Sequence, residues 1–294
     1  MVEEGAGGPQ RERRPEESGL RVREYGRSGP RVILLHGGPG AMGTLAPVAR
    51  ELAAAFRVLE PLQRRSGGPG GGASGQGGEG APLTVARHVD DLHRVVTGWC
   101  GGERPAMLGH SWGAMLALCY AAARPGSARS LVLVGCGTWD RAAREALRAE
   151  RERRMTPELR ARLLGLAAAV PDPDRRLERM GDLFLPVDSV DAVAEPPEPG
   201  EVAFDERAYR ETWSDMMRLQ AEGVYPAVFT AVTGPVLMVH GAGDPHPGRM
   251  IEKGLRAFIP HLEYRELDRC GHYPWLERGA REAFFRLVRE RLAG

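Results

Sequence analysis

Apolar residues fall along this 294-residue chain in two alternating patterns. Short unbroken runs at Val32 to Leu35, Ser130 to Val134 and Pro235 to Val239 have the character of strands buried on both faces. Residues 20–25 alternate apolar with charged positions and predict an edge strand. Shorter apolar stretches at 57–59, 105–108 and 262–267 predict further strands. Between them, residues 46–55, 83–99, 249–258 and 275–292 place apolar side chains three and four apart, the spacing of a helix with one buried face. Strands alternating with helices predict an α/β fold, a mostly parallel sheet with helices on both faces.

The alternation breaks between 138 and 234. That stretch is highly charged and helical in pattern, interrupted by Pro171 and Pro173 and by Pro196, Pro197 and Pro199. It predicts a helical cap inserted into a core made of 19–137 and 235–294. Its larger apolar residues are Leu163, Leu164, Leu177, Met180, Leu183, Phe184, Trp213, Met216, Met217, Leu219 and Tyr225. They are candidates for its own core or for a substrate-facing wall. Residues 1–18, rich in Gly, Pro, Glu and Arg, predict a disordered tail. A Gly-rich loop at 67–80 has nothing with which to form a core, so it either gates a site or is a neutral insertion.

Composition narrows the function classes. A net charge of +1 gives no reason to expect nucleic acid or an anionic membrane as partner. No apolar run is long enough to span a bilayer, and the first residues lack the apolar core of a secretory signal, so a cytoplasmic location is expected. Cys100, Cys119, Cys136 and Cys270 sit apart in apolar surroundings and predict buried free thiols. Lys253 is the single lysine, so arginine carries nearly all the positive charge. His88, Asp90, Asp91 and His93 lie close in sequence. His88 and His93 fall on different sides of a helix, so a solvated polar face is expected there rather than a metal site.

One motif carries chemistry. Gly109, His110, Ser111, Trp112 and Gly113 form a G-x-S-x-G between a predicted strand and a predicted helix. A serine on so tight a turn presents its hydroxyl to solvent, and small residues two before and two after allow the chain to bend that sharply. An activated serine needs a base, and the base needs an acid to hold its tautomer. Functional groups of a parallel sheet collect after the strands' C-terminal ends. There stand Asp244 and His272, giving the order Ser111, Asp244, His272. His110, His240 and His246 compete for the base. His110 adjoins the serine and should diverge from it; His246 is close to Asp244 in sequence; His240 ends a strand. An oxyanion site would use the N–H groups of Trp112 and Gly38, with Gly37 the neighbouring alternative.

Together, the run from His36 to Gly40 (His-Gly-Gly-Pro-Gly) and Gly109 to Gly113 resemble the α/β-hydrolase fold, in its proline iminopeptidase branch. The resemblance implies a helical cap, a Ser-His-Asp triad acting by acyl transfer on a small-molecule or short-peptide substrate, and no metal or organic cofactor. The chain departs from that branch at residues 60–67, where the usual Asp-Gln-Arg-Gly-Ser-Gly run reads Glu-Pro-Leu-Gln-Arg-Arg-Ser-Gly. Such enzymes also hold a substrate amine with acidic cap residues. Asp215 and Glu222 are the foremost candidates here, beside Glu206 and Glu211. A carboxylesterase of the same fold fits equally well. From another class, a catalytically silent fold kept for ligand binding is the alternative; its mark would be a missing triad member, and none is missing here. Oligomeric state has no signature in the sequence.

Overall fold

The computed structural model describes residues 11–13, 20–40, 44–64, 81–193 and 204–294. The Gly-rich loop 67–80 and the proline cluster 195–199 lie outside them. In chain order the strands are β1 (Arg11–Arg13), β2 (Val22–Tyr25), β3 (Arg31–Leu35), β4 (Arg57–Pro61), β5 (Ala106–His110), β6 (Ser130–Val134), β7 (Val236–Gly241) and β8 (Glu263–Leu267). They make one sheet in the order β1-β2-β4-β3-β5-β6-β7-β8. β2 runs antiparallel to both β1 and β4, while the neighbours from β4 across to β8 are parallel. β1 corrects an expectation: it falls within the stretch read as a disordered tail, and its pairing moves β2 off the edge of the sheet.

The unbroken apolar runs follow from burial on both faces. Side chains alternate across a strand, so each central strand feeds two cores. Ile33, Leu35, Met107, Leu131, Leu133 and Met238 enter one. Val32, Leu34, Leu108, Val132, Val134 and Val239 enter the other. The first core is covered by α2 (Val85–Cys100) and α3 (Trp112–Ala123), and the second by α1 (Ala46–Leu52) and α9 (Arg281–Ala293). The apolar stripe of residues 275–292 begins before α9 does, because 275–280 form turns.

Between β6 and β7 lie α4 (Arg141–Arg154), α5 (Pro157–Ala169), α6 (Pro173–Asp188) and α7 (Glu206–Ala221). α8 (Gly248–Arg256) follows β7. The starts of α4 to α7 share one device: Asp140, Thr156, Asp172 and Asp205 each cap an N-terminal N–H with the side chain. α7 is fastened to α2. Asp215 accepts from the Val85 N–H at 2.9 Å and Glu211 from the Leu83 N–H at 2.8 Å, so two carboxylates sit at the positive end of α2. The polar residues of α2 are only in part the solvated face expected: Asp90 is exposed and His93 half-buried. His88 and Asp91 are buried; His88 bonds Thr212 at 3.0 Å, and Asp91 takes a bidentate pair from Arg64 at 2.6 and 2.7 Å.

Candidate active site

β5 ends at His110 and α3 starts at Trp112, so Ser111 alone makes the turn. Its backbone is held at φ 55°, ψ −116°, a conformation that costs an L-residue of order 1–3 kcal/mol. The flanking glycines explain how the turn closes. A Cβ on Gly113 would stand 1.9 Å from the Leu35 carbonyl oxygen, and one on Gly109 would stand 2.2 Å from that of Gly113. The Ser111 N–H is tied to the Val134 carbonyl at 2.9 Å, which fixes the turn against β6.

Asp244, after β7, and His272, after β8, meet although 28 residues separate them. His272 Nδ1 lies 2.7 Å from Asp244 Oδ2. Both are buried, and His272 lines the same cavity as Ser111. The other carboxylate oxygen is also engaged. Asp244 Oδ1 accepts from the His246 backbone N–H at 2.8 Å and faces His246 Nδ1 at 2.9 Å. His240 Nε2 comes within 3.1 Å of Oδ2. Burial alone would raise the Asp244 pKa, but the facing His272, His246 and His240 hold it well below the usual carboxylate range.

The competing histidines therefore have defined places. His110 turns from the serine: its Nε2 meets the His272 carbonyl at 3.0 Å and its ring lies 4.6 Å from that of His272. Burial drives its pKa well down, so it stays neutral. His240 bonds the His246 carbonyl at 3.1 Å and supports the Asp244 turn from below. His246 stacks on His272, with centroids 4.3 Å apart and planes 14° from parallel.

Asp244, His246 and His272 offer three possible metal-ligand atoms within 4.8 Å. Each imidazole Nδ1, however, points at its own carboxylate oxygen, and the rings are nearly parallel. One ion cannot lie in the plane of both rings, so this donor set suits hydrogen bonds better than coordination.

Gly37 and Gly38 border the cavity beside Ser111, and Gly38 adopts φ 50°, which glycine takes without strain. Trp112 opens α3, so its backbone N–H has no intrahelical acceptor. Gln63, in no motif of the sequence, belongs to the site as well. Its side chain accepts from the Trp112 indole N–H at 2.8 Å and donates to the His36 carbonyl at 2.9 Å, while its backbone N–H reaches His36 Nε2 at 3.2 Å. It joins the start of α3 to the glycine loop. Its place in the sequence, just after a strand's C-terminal end, was the available signal.

The cavity measures about 700 Å³. Of the apolar candidates from the charged insertion, Leu177, Met180, Phe184, Trp213 and Met217 line it, whereas Leu183 and Met216 are buried and Leu164 is 81% exposed. Asp188 also borders the cavity and is neutralised by a bidentate pair with Arg151 at 2.5 and 2.9 Å. The expected amine-holding acids are elsewhere. Asp215 is spent on Val85 and Arg218, Glu222 pairs with Arg218, and Glu206 and Glu211 do not border the cavity either.

A parallel sheet carrying a serine at a strand–helix elbow and an Asp–His pair on later strand ends defines a hydrolase architecture. Residues 32–285 match the alpha/beta hydrolase family, and the chain belongs to it. The probable proline iminopeptidase of Streptomyces coelicolor is 34% identical over 189 residues, covering 64% of this chain and 53% of its own length. The chain thus matches about half the length of that curated relative. Among solved structures, VinJ superposes with a TM-score of 0.68 at 20% identity, over 97% of this chain and 98% of its own. The 2-hydroxy-6-oxo-6-phenylhexa-2,4-dienoate hydrolase of Rhodococcus sp. strain RHA1 superposes at 0.60 with 23% identity, over 94% and 95%. At that identity the likeness is one of fold. No helix among the described residues is long and apolar enough to cross a membrane.

Proposed function

We propose that this protein is a serine hydrolase that cleaves an ester or amide bond of a small substrate through an acyl-enzyme. The observation that carries the reading is the 2.7 Å Asp244–His272 contact beside the cavity that Ser111 shares. Ser111 Oγ attacks the carbonyl carbon while His272 Nε2 takes its proton. Asp244 holds His272 in the Nδ1–H tautomer and balances the imidazolium that forms. The N–H groups of Trp112 and of Gly38 or Gly37 receive the developing oxyanion. His272 then protonates the leaving group, and water releases the acid by the same steps. Serine at this position supports acyl transfer over alkyl-ester chemistry, which needs a carboxylate nucleophile.

Residues 138–234 act as the cap that selects the acyl group. Their apolar cavity wall supports a substrate with apolar bulk. The Streptomyces relative's name supports a peptidase-like substrate; the diversion of Asp215 and Glu222 to other partners favours a neutral ester or amide over a free α-amine. Four buried free thiols accord with a reducing compartment such as the cytoplasm.

A fluorophosphonate probe tests the nucleophile. Labelling of the folded protein that disappears in Ser111→Ala is expected; an unlabelled wild type would favour a silent ligand-binding fold. Turnover of proline 2-naphthylamide against short p-nitrophenyl esters separates peptidase from esterase, and inertness toward both removes both.

A further inference from the structure

His246 is not needed for the three-part relay, yet it is built into it. It shares Asp244 with His272, one imidazole per carboxylate oxygen, at 2.9 and 2.7 Å. The two rings stack face to face. An ionised carboxylate only accepts hydrogen bonds, so each Nδ1 facing it must carry the proton. Both imidazoles are thereby held in one tautomer, and each leaves Nε2 as a bare acceptor.

His272 uses that acceptor on Ser111 in the reading above. His246 has its backbone N–H and Nδ1 on Asp244 and its carbonyl on His240. Among the described residues no hydrogen bond reaches its Nε2. Its side chain is 9% exposed and lines the cavity. Burial, aided by the neighbouring His272, lowers its pKa to about 4, so it is neutral at pH 7. That acceptor faces the cavity without a protein partner, so a ligand donor can take it in place of water.

We propose that His246 is a substrate-binding residue whose Nε2 accepts a hydrogen bond from a hydroxyl on the carbon next to the scissile carbonyl. The stacking supports that position. His272 serves the carbonyl carbon, and His246 lies one ring spacing, 4.3 Å between centroids, to its side. That spacing is within reach of a substituent on the acyl carbon next to the carbonyl. The preferred substrates are therefore 2-hydroxyacyl esters and amides. A site built to bond such a donor discriminates against the analogue lacking it.

The inference rests on Ser111 being the nucleophile, and the test separates the two. Rates are compared for p-nitrophenyl 2-hydroxybutanoate and p-nitrophenyl butanoate. The wild type should favour the hydroxy ester by about ten- to a hundredfold in kcat/KM, corrected for their uncatalysed rates. His246→Phe keeps a ring on the stack but removes the acceptor; it should bring the ratio near one while butanoate is still hydrolysed. Using the ratio cancels any general loss from the altered Asp244. An equal ratio in wild type and variant overturns the proposal and leaves the nucleophile standing. Wild-type inertness to both esters removes the reading beneath it. Should the variant not fold, 15N chemical shifts of the wild-type imidazoles decide: Nδ1–H on both His246 and His272 supports the proposal, and Nε2–H on His246 overturns it.

Discussion

The Trp112 indole N–H donates to Gln63 Oε1 at 2.8 Å, and the amide of the same Gln63 side chain holds the His36 carbonyl. One glutamine thus sets the distance between the two backbone segments that would receive an oxyanion. Replacing it by leucine orphans the indole N–H and a buried carbonyl, at about 1–3 kcal/mol each. Gln63→Leu should fold with a lowered melting temperature and lose about tenfold or more in kcat on a p-nitrophenyl ester, with a smaller change in KM. A KM effect with kcat intact would place Gln63 in substrate binding instead.

Asp244 is the hub of four hydrogen-bonding contacts, from His272, His240, and the side chain and backbone of His246. Asp244→Asn puts an N–H donor where a ring N–H must be accepted, and so disfavours the working tautomer. Steady-state kinetics should show kcat reduced by roughly 10³–10⁴, the scale of tautomer loss in such relays. A reduction below tenfold would detach Asp244 from the chemistry.

The glycines around Ser111 differ in kind from glycines elsewhere. Gly113→Ala drives a methyl group against the Leu35 and His36 carbonyl oxygens, which are backbone atoms of a central strand and the loop after it. It should destabilise by several kcal/mol or prevent folding, on the order of an overpacked core. Gly98, exposed on α2, has nothing within 4 Å of its virtual Cβ. Gly98→Ala should add about 0.5–1 kcal/mol of stability in urea denaturation.

Four buried histidines make stability depend on pH. Burial lowers His36 and His246 to about 4 and His88 to about 3, and takes His110 well below its ordinary value. The unfolded chain protonates these groups near pH 6.5, so below that pH it binds more protons than the native state. Their contribution is fully present above pH 6.5 and is lost as pH falls through the native values. Each such histidine should remove about 1.4 kcal/mol per pH unit within its window. Urea midpoints measured between pH 7 and pH 4.5 should fall steeply below 6.5; a flat profile down to pH 5 would show that these histidines are protonated in the native state.

Strand positions were legible because the central strands are buried on both faces. A run such as Val32 to Leu35 has no polar face to hide, and its four residues divide evenly between the two cores. The Ser111 elbow was legible for a similarly local reason: steric closure of a one-residue turn demands small neighbours within two positions. Asp244 and His272 could be found as residues following strands, although only folding brings them to 2.7 Å.

Partnership across the chain was decided by tertiary structure alone. Asp91 looked like surface until Arg64 arrived, and His88 until Thr212 did, 124 residues away. Asp215 and Glu222 looked available for a substrate amine until α2 and Arg218 engaged them. The pairing of β1 was hidden because three charged residues have no hydrophobic period, and their order comes from backbone hydrogen bonds to β2. Periodicity reports which side of an element is dry, since burial is a property of one segment against the whole core. Which groups meet in the dry interior depends on how long loops close, and residue spacing along the chain carries little of that information. Hence the sequence by itself determined the central strands of the sheet and the serine turn. Only the assembled fold decided what surrounds Ser111, including the second imidazole on Asp244.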